Sequence, residues 1–326
     1  CTVIKVNAGR IKTQGKSKDV VFIDAFDVVA IGELLIDFTE TGTNSDGYPI
    51  MQANPGGAPG NFLAALSVLG AKTALLAKVG SDMFGNMLID TLRKAGINDQ
   101  GIEQDTNYFT TLAFVRLNPK TGDRQFSFCR KPGADTKLSY DECNLDLIER
   151  ARCVHFGTLS LTNDPARSAT QKVIEYSKVK GKIITFDPNL REPLWNDLSE
   201  AKDMMLWGLK QADIVKISDY ETEFLWNLSP EDGAKKLIND YDVKAAFVTC
   251  GENGSWYAAR GCLGHVNSLQ GLKIVDTTGA GDIFFGSAIW KLLQTGRMPN
   301  DLDDASLREA SAFANAMAGL STEKYG

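Results

Sequence analysis

Late in the chain, the run Asp276-Thr277-Thr278-Gly279-Ala280-Gly281-Asp282 sets small side chains and two carboxylates directly before the apolar stretch Ile283 to Ile289. Glycine and alanine let a ligand approach the backbone. A helix starting there aims its first N–H groups and the positive end of its dipole at that ligand. This makes an anion site, suited to phosphate oxygens and to the charge that develops in phosphoryl transfer. A carboxylate at its mouth, Asp282, can take the proton of an attacking hydroxyl. Taken alone, Asp282 also fits the plainer role of a helix N-cap behind a glycine turn. Earlier in the chain a second glycine-rich helix opening occurs, Gly56-Gly57-Ala58-Pro59-Gly60-Asn61. A third segment, Gly9 to Gly15-Lys16-Ser17, imitates a phosphate-binding loop, but G-x-x-x-x-G-K-[ST] needs glycine at position 10, where Arg10 stands.

Composition narrows the classes that could carry such a site. At 326 residues, 43% hydrophobic and 23% charged, the chain can bury a full core. Its net charge of -6 and lack of a basic stripe argue against a nucleic-acid surface. There is no apolar run of the roughly 18 residues a membrane helix needs, and the first residues lack the apolar core of a secretory signal. A cytoplasmic protein without a membrane partner is therefore expected. The six cysteines form no C-x-x-C pair and read as reduced thiols. His155 and His265 are the only histidines, too few for a His-rich metal site, and both read as structural residues.

The elements that must position these groups alternate. Phe26 to Gly32 is strand-like, Pro59 to Leu69 is helical and closes at Gly70, Thr73 to Val79 is a strand, and Asp82 to Ala95 is an amphipathic helix ended by Gly96. Further strands are expected at 153–156, 183–187, 214–217 and 245–249, with helices at 165–180, 230–241, 281–293 and 306–318. A βαβα order implies an α/β fold, a mainly parallel sheet with helices on both faces and ligands at the carboxyl ends of the strands. Thr111 to Leu117 and Arg124 to Arg130 flank a turn-rich segment, 118–123, and predict a hairpin in a small antiparallel sheet. Residues 1–25 read as a leader, basic and polar to about Asp19, and 26–326 as a single domain with this β-excursion.

The two glycine-rich openings, with Ala77 to Gly85 following the first, resemble the two signature regions of the phosphofructokinase-B (PfkB, ribokinase-like) carbohydrate kinases, from about Phe26 to Gly326. The resemblance implies a ribokinase-like fold whose small β-sheet, built from about 36–55 and 108–130, is a lid over a sugar site. By resemblance Asp282 is the catalytic base, and Gly279, Ala280 and Gly281 form the anion hole. Asp37, ending Gly32-Glu33-Leu34-Leu35-Ile36-Asp37, would hold sugar hydroxyls beside Gly56, Gly57 and Asn61. A carboxylate accepting two hydroxyl protons and an amide that donates and accepts suit a vicinal diol. Each residue alone also fits a turn or a first helical turn.

Asp187-Pro188-Asn189-Leu190-Arg191-Glu192-Pro193-Leu194-Trp195 and Phe128 to Asp135, with Arg130, are similar to fructokinase segments. Arg130 and Arg191 are thereby assigned to substrate, a guanidinium being suited to sugar or phosphate oxygens. Val248 to Gly254, with Thr249, Gly251 and Gly254, resembles the nucleotide turn, and Asn315 the adenine pocket. Where relatives carry Asn-x-x-Glu, this chain has Ser218-Asp219-Tyr220-Glu221; Glu221 would act on Mg²⁺ through water. Asp276 and Thr278 would border a monovalent-cation site, with a potassium requirement left open. The implied activity is ATP-dependent fructose phosphorylation by a homodimer paired through its lids. Ribose, 2-keto-3-deoxygluconate or a nucleoside as acceptor, and a catalytically silent family member, remain as alternatives.

Overall fold

The computed structural model describes residues 26–117 and 124–324. The leader, the false phosphate loop within it and the 118–123 turn therefore lie outside the described residues. In chain order the elements begin with β1 (Phe26–Ile31), β2 (Leu35–Thr43), β3 (Pro49–Gly56), α1 (Ala58–Val68), β4 (Thr73–Gly80), α2 (Met83–Lys94), β5 (Ile97–Asp105), β6 (Leu112–Leu117) and β7 (Arg124–Cys129). They continue with α3 (Leu145–Glu149), β8 (Ala151–Gly157), α4 (Ala166–Val179), β9 (Ile183–Asp187), α5 (Leu198–Gln211), β10 (Ile214–Ser218), α6 (Asp219–Trp226) and α7 (Pro230–Tyr241). The last are β11 (Ala245–Thr249), β12 (Ser255–Ala259), β13 (Cys262–Val266), α8 (Ala280–Gln294) and α9 (Asp304–Ser321).

Nine strands form one sheet in the order β13-β12-β11-β10-β9-β8-β1-β4-β5. All neighbours are parallel except β11–β12 and β12–β13. Successive residues of the central strands feed opposite faces. Val29, Ile31, Val154 and Phe156 join the core under α4 and α5, whereas Val28, Ala30 and Cys153 join the one under α1, α8 and α9. Burial on both faces explains why these strands read as continuous apolar runs. His155 belongs to this interior, stacked 3.8 Å from Phe62 and hydrogen-bonded to Thr185, and burial lowers its pKa to about 3, so it is neutral.

A separate sheet has the order β3-β2-β6-β7. It is mixed rather than antiparallel as expected: β2–β3 and β6–β7 are hairpin pairs, but β2 and β6 run parallel, because each hairpin leaves the main sheet in the same sense. Phe38 on β2 stacks on Phe114 of β6 at 5.3 Å and meets Phe84 of α2 edge-on at 5.5 Å, which seats this sheet on the large one.

Candidate active site

The two glycine-rich openings meet in space. α1 and α8 pack closely because Gly286, in the middle of α8, leaves room that a side chain would fill: a Cβ there would come within 2.5 Å of the Phe62 carbonyl oxygen. Phe62 and Phe285 lock the contact with ring centres 5.5 Å apart. Burying such a ring stabilises by roughly 1.5–3 kcal/mol, so the helix pair is a rigid mount. It brings Asn61, in the first turns of α1, within reach of Asp282 in the first turn of α8, and the Asn61 amide donates to Asp282 Oδ2 at 2.9 Å.

Asp282 Oδ1 accepts a second amide proton, from Asn189 at 3.1 Å. Asn189 follows β9 in the left-handed region, φ 47°, a conformation that asparagine tolerates better than most residues. Asp282 is thus buried and held on both oxygens by amides. Burial raises its pKa, opposed by the Asn61 hydrogen bond and by the Lys216 and Arg191 cations. Gly279 caps α8 with φ 74° and no side chain, so the helix N-terminus is open at the backbone. Ala280 and Gly281 start the helix, and a Cβ on Gly281 would lie 3.0 Å from Lys216 Nζ.

Lys216, on β10, forms a buried ion pair with Asp187 at the end of β9, Nζ lying 3.0 and 3.2 Å from the two oxygens. Burial works against the ammonium, but Asp187, Glu221 and Asp282 outweigh it and raise the Lys216 pKa, so this residue is charged. Burial pushes Asp187 up to about 7 despite Lys216. Glu221 accepts from Ser218 N and Oγ and from Leu190 N, each at 2.8 Å, closing a capping box on α6 and tying it to the Asn189–Arg191 loop. Ser218 is that helix's N-cap.

Asp37 projects from β2 toward the same space. Burial raises its pKa to about 6, with Arg191 opposing and Asp282 and Asp276 adding to the rise. Gly56, which pairs with Leu35 across the β2–β3 ladder, has to be glycine: a Cβ would fall 2.1 Å from Asp37 Oδ2. Gly57 caps α1 with φ 109°, its would-be Cβ 2.6 Å from the Glu33 carbonyl.

The structure therefore gathers Asp37, Asn61, Arg191, Gly279 and Asp282 around one space, and adds Asn189 and Lys216, which sequence reasoning did not assign. Lys216 lies inside an apolar strand pattern, and only its charge there marked it. Arg130 is placed elsewhere. It is 6% exposed, and its guanidinium is engaged by Asp135, Thr162 Oγ1 and the Leu159 carbonyl, so it presents no open surface to a substrate.

Thr249 ends β11 beside Ser218. Gly251 and Gly254 adopt positive φ of 54° and 85° in the turn closed by Cys250 N to the Gly254 carbonyl. Asn315 of α9 donates to the Val266 and Asn267 carbonyls, which braces the neighbouring backbone. Thr278 N and Oγ1 both donate to Asp276 Oδ1, shaping the turn before α8. Among the described residues no cluster of three or more His, Cys, Asp or Glu could hold a metal by itself.

The profile of the pfkB family carbohydrate kinases matches residues 25–326. A probable fructokinase-3 of Arabidopsis thaliana is 41% identical over 302 residues, 92% of this chain and 86% of the relative. Among solved structures, a fructokinase with bound ATP from Xylella fastidiosa superposes with TM-score 0.84 at 27% identity, covering 92% of this chain and 93% of the other. A fructokinase from Vibrio cholerae O395 in its fructose, ADP and calcium ion bound form gives 0.81 at 29% identity, covering 93% and 95%.

Proposed function

Because the chain belongs to the pfkB family of carbohydrate kinases, we propose that it transfers the γ-phosphoryl group of ATP to D-fructose, giving D-fructose 6-phosphate and ADP. The observation that carries the reading is Asp282: a buried carboxylate, gripped by two amides from separate elements, at the open N-terminus of a helix. Fructose lies between Asp37 on the small sheet and Asp282, with Arg191 alongside. Asp282 takes the proton of the primary hydroxyl as its oxygen attacks the γ-phosphorus. Its raised pKa makes it a better base than an ordinary carboxylate, while the two amides fix the direction of its lone pairs. The backbone at Gly279, Ala280 and Gly281 and the α8 dipole stabilise charge on the transferring group, and Lys216 below Gly281 adds a fixed cation. The small sheet closes over the sugar and excludes water.

Mg²⁺ prefers one or two carboxylates, several waters and substrate phosphates; Glu221, 4% exposed with its oxygens held by Ser218 and Leu190, would act on it only through a water. When bound, the ion neutralises phosphate charge. Thr249, Gly251 and Gly254 lie on the nucleotide side, with Asn315 bracing the adenine end and Asp276 and Thr278 lining a potassium site. Pairing of two copies through the small sheet draws support from Tyr48 and Ile50, apolar and exposed on the β2–β3 arm; sedimentation velocity tests it. Exchange of potassium for sodium in the assay tests the cation, and cell fractionation tests a cytosolic location.

A coupled ADP-release assay over fructose, ribose, 2-keto-3-deoxygluconate and adenosine is the decisive experiment. Fructose is expected to give the highest kcat/KM, with NMR showing the 6-phosphate. Comparable efficiency on ribose or a nucleoside, with fructose poor, would overturn the substrate assignment. Absence of turnover on every acceptor would point to a silent family member.

A further inference from the structure

The second hairpin of the small sheet, β6–β7, has two feet: Thr111, one residue before β6, and Arg130, one residue after β7. Both end on the same side chain. Thr111 Oγ1 donates to Asp135 Oδ1 at 2.5 Å, and Arg130 Nε and Nη2 donate to Asp135 Oδ2 at 2.8 and 2.7 Å. Thr111, Arg130 and Asp135 are all buried, at 0%, 6% and 6% exposure. Arg130 continues to Thr162 and the Leu159 carbonyl, so the clamp is bolted to the large sheet's side of the molecule. Gly133 makes the approach possible, since a Cβ there would lie 1.8 Å from Thr111 Oγ1.

This arm sets the position of a substrate residue. β6 pairs in parallel with β2, with Ala113 opposite Asp37, and Ile36 N donates to the Thr111 carbonyl at 3.1 Å. The foot of the arm is therefore two residues from the register position that fixes Asp37, the carboxylate assigned to the sugar. A buried, doubly bonded carboxylate restrains rotation of both feet more tightly than exposed pairs would, because neither partner can exchange to water.

We propose that Asp135 is a positioning residue: by clamping both feet of the β6–β7 arm, it sets where Asp37 meets the sugar and how completely the small sheet covers the site. The proposal rests on the sugar-kinase reading, and it assigns to Arg130 a clamp in place of a sugar contact.

Thr111→Val is the cleanest test, because it deletes one foot's hydrogen bond at nearly constant shape and leaves the Arg130–Asp135 pair intact. Its fructose KM is expected to rise about tenfold with ATP KM unchanged, and more ATP should be hydrolysed per sugar phosphorylated. Hydrogen exchange should quicken over 112–117 and 124–129 but not over β8 to β11, a local pattern that general destabilisation would not give. Thr111→Ser should restore all three readouts. Asp135→Asn is expected to produce the same changes, larger, if it folds. A folded Thr111→Val protein with parental fructose KM, parental coupling and parental exchange in the arm would overturn the proposal. The exchange measurement needs no substrate, so it still decides the clamp if fructose proves to be the wrong sugar.

Discussion

The openings of α1 and α8 use the same sequence device, small residues before a helix with a positive-φ glycine as cap, and put it to opposite ends. At α1 the protein fills its own anion site: Glu33 reaches over, and Oε1 accepts from Ala58 N at 2.9 Å. At α8 no cap side chain is present, and the acid of the first turn, Asp282, is pulled sideways by Asn61 and Asn189. A helix N-terminus is a functional anion site only when the chain supplies no internal carboxylate to close it. Asn61 couples the two, standing on the closed helix and gripping Asp282 of the open one.

The largest expected effect comes from breaking the open side. Asp282→Asn keeps a side chain of the same shape but cannot take a proton, so kcat should fall by roughly 10² to 10⁴ while both KM values and Tm stay close to the parent's. If more than about a tenth of parental kcat survived, Asp282 would not be the base.

The bridge between the openings comes next. Asn61→Ala removes the amide at Asp282 Oδ2, so it should lower kcat by roughly tenfold as well as raise fructose KM. Asp37→Ala, which removes only the proposed sugar contact, should raise fructose KM with a smaller change in kcat, and neither should shift ATP KM. An equal rise in ATP KM for Asp37→Ala would mean that the two sides of the cleft are wrongly assigned.

The smallest effect is expected on the closed side, and it is one of stability. Burial, only partly offset by its backbone hydrogen bonds, raises the Glu33 pKa from the ordinary 4.5 to about 7. Between those values the folded protein keeps a proton that the unfolded chain has released, so stability present at low pH is lost as pH rises toward 7. Glu33→Gln keeps an acceptor for Ala58 N and cannot ionise. The fall in stability from pH 5 to pH 8 should shrink by roughly 1–3 kcal/mol in this variant, measured by urea unfolding, with kcat unchanged. An identical slope in parent and variant would show that Glu33 ionises as freely folded as unfolded.

The fold was legible where burial was strong. The apolar runs of β1, β4, β8, β9, β10 and β11 announce themselves because both faces of those strands are covered. β5, with the sequence Ile97-Asn98-Asp99-Gln100-Gly101-Ile102-Glu103-Gln104-Asp105, carried no such pattern; it is a strand because it pairs with β4 at the sheet edge, where only Ile97 and Gly101 are buried. α5, α6 and the β12–β13 hairpin were likewise missed, and the parallel pairing of β2 with β6 could not be read from two hairpins considered singly.

For the site, residue types and local spacing determined which groups can do the chemistry: a carboxylate at a glycine-rich helix start, an asparagine in the first turns of another helix, an acid at a strand end. Those signals are local because helix caps and turns are set by neighbours in the chain. Which groups touch was decided by packing alone. Asn61 and Asp282 are 221 positions apart and Asn189 and Asp282 are 93 apart. The same packing drew Lys216 beneath Gly281, closed α1 with Glu33, and turned Arg130 away from the cleft onto Asp135. A charge buried in a low-dielectric interior must find a partner, and only the folded chain determines which partner is near.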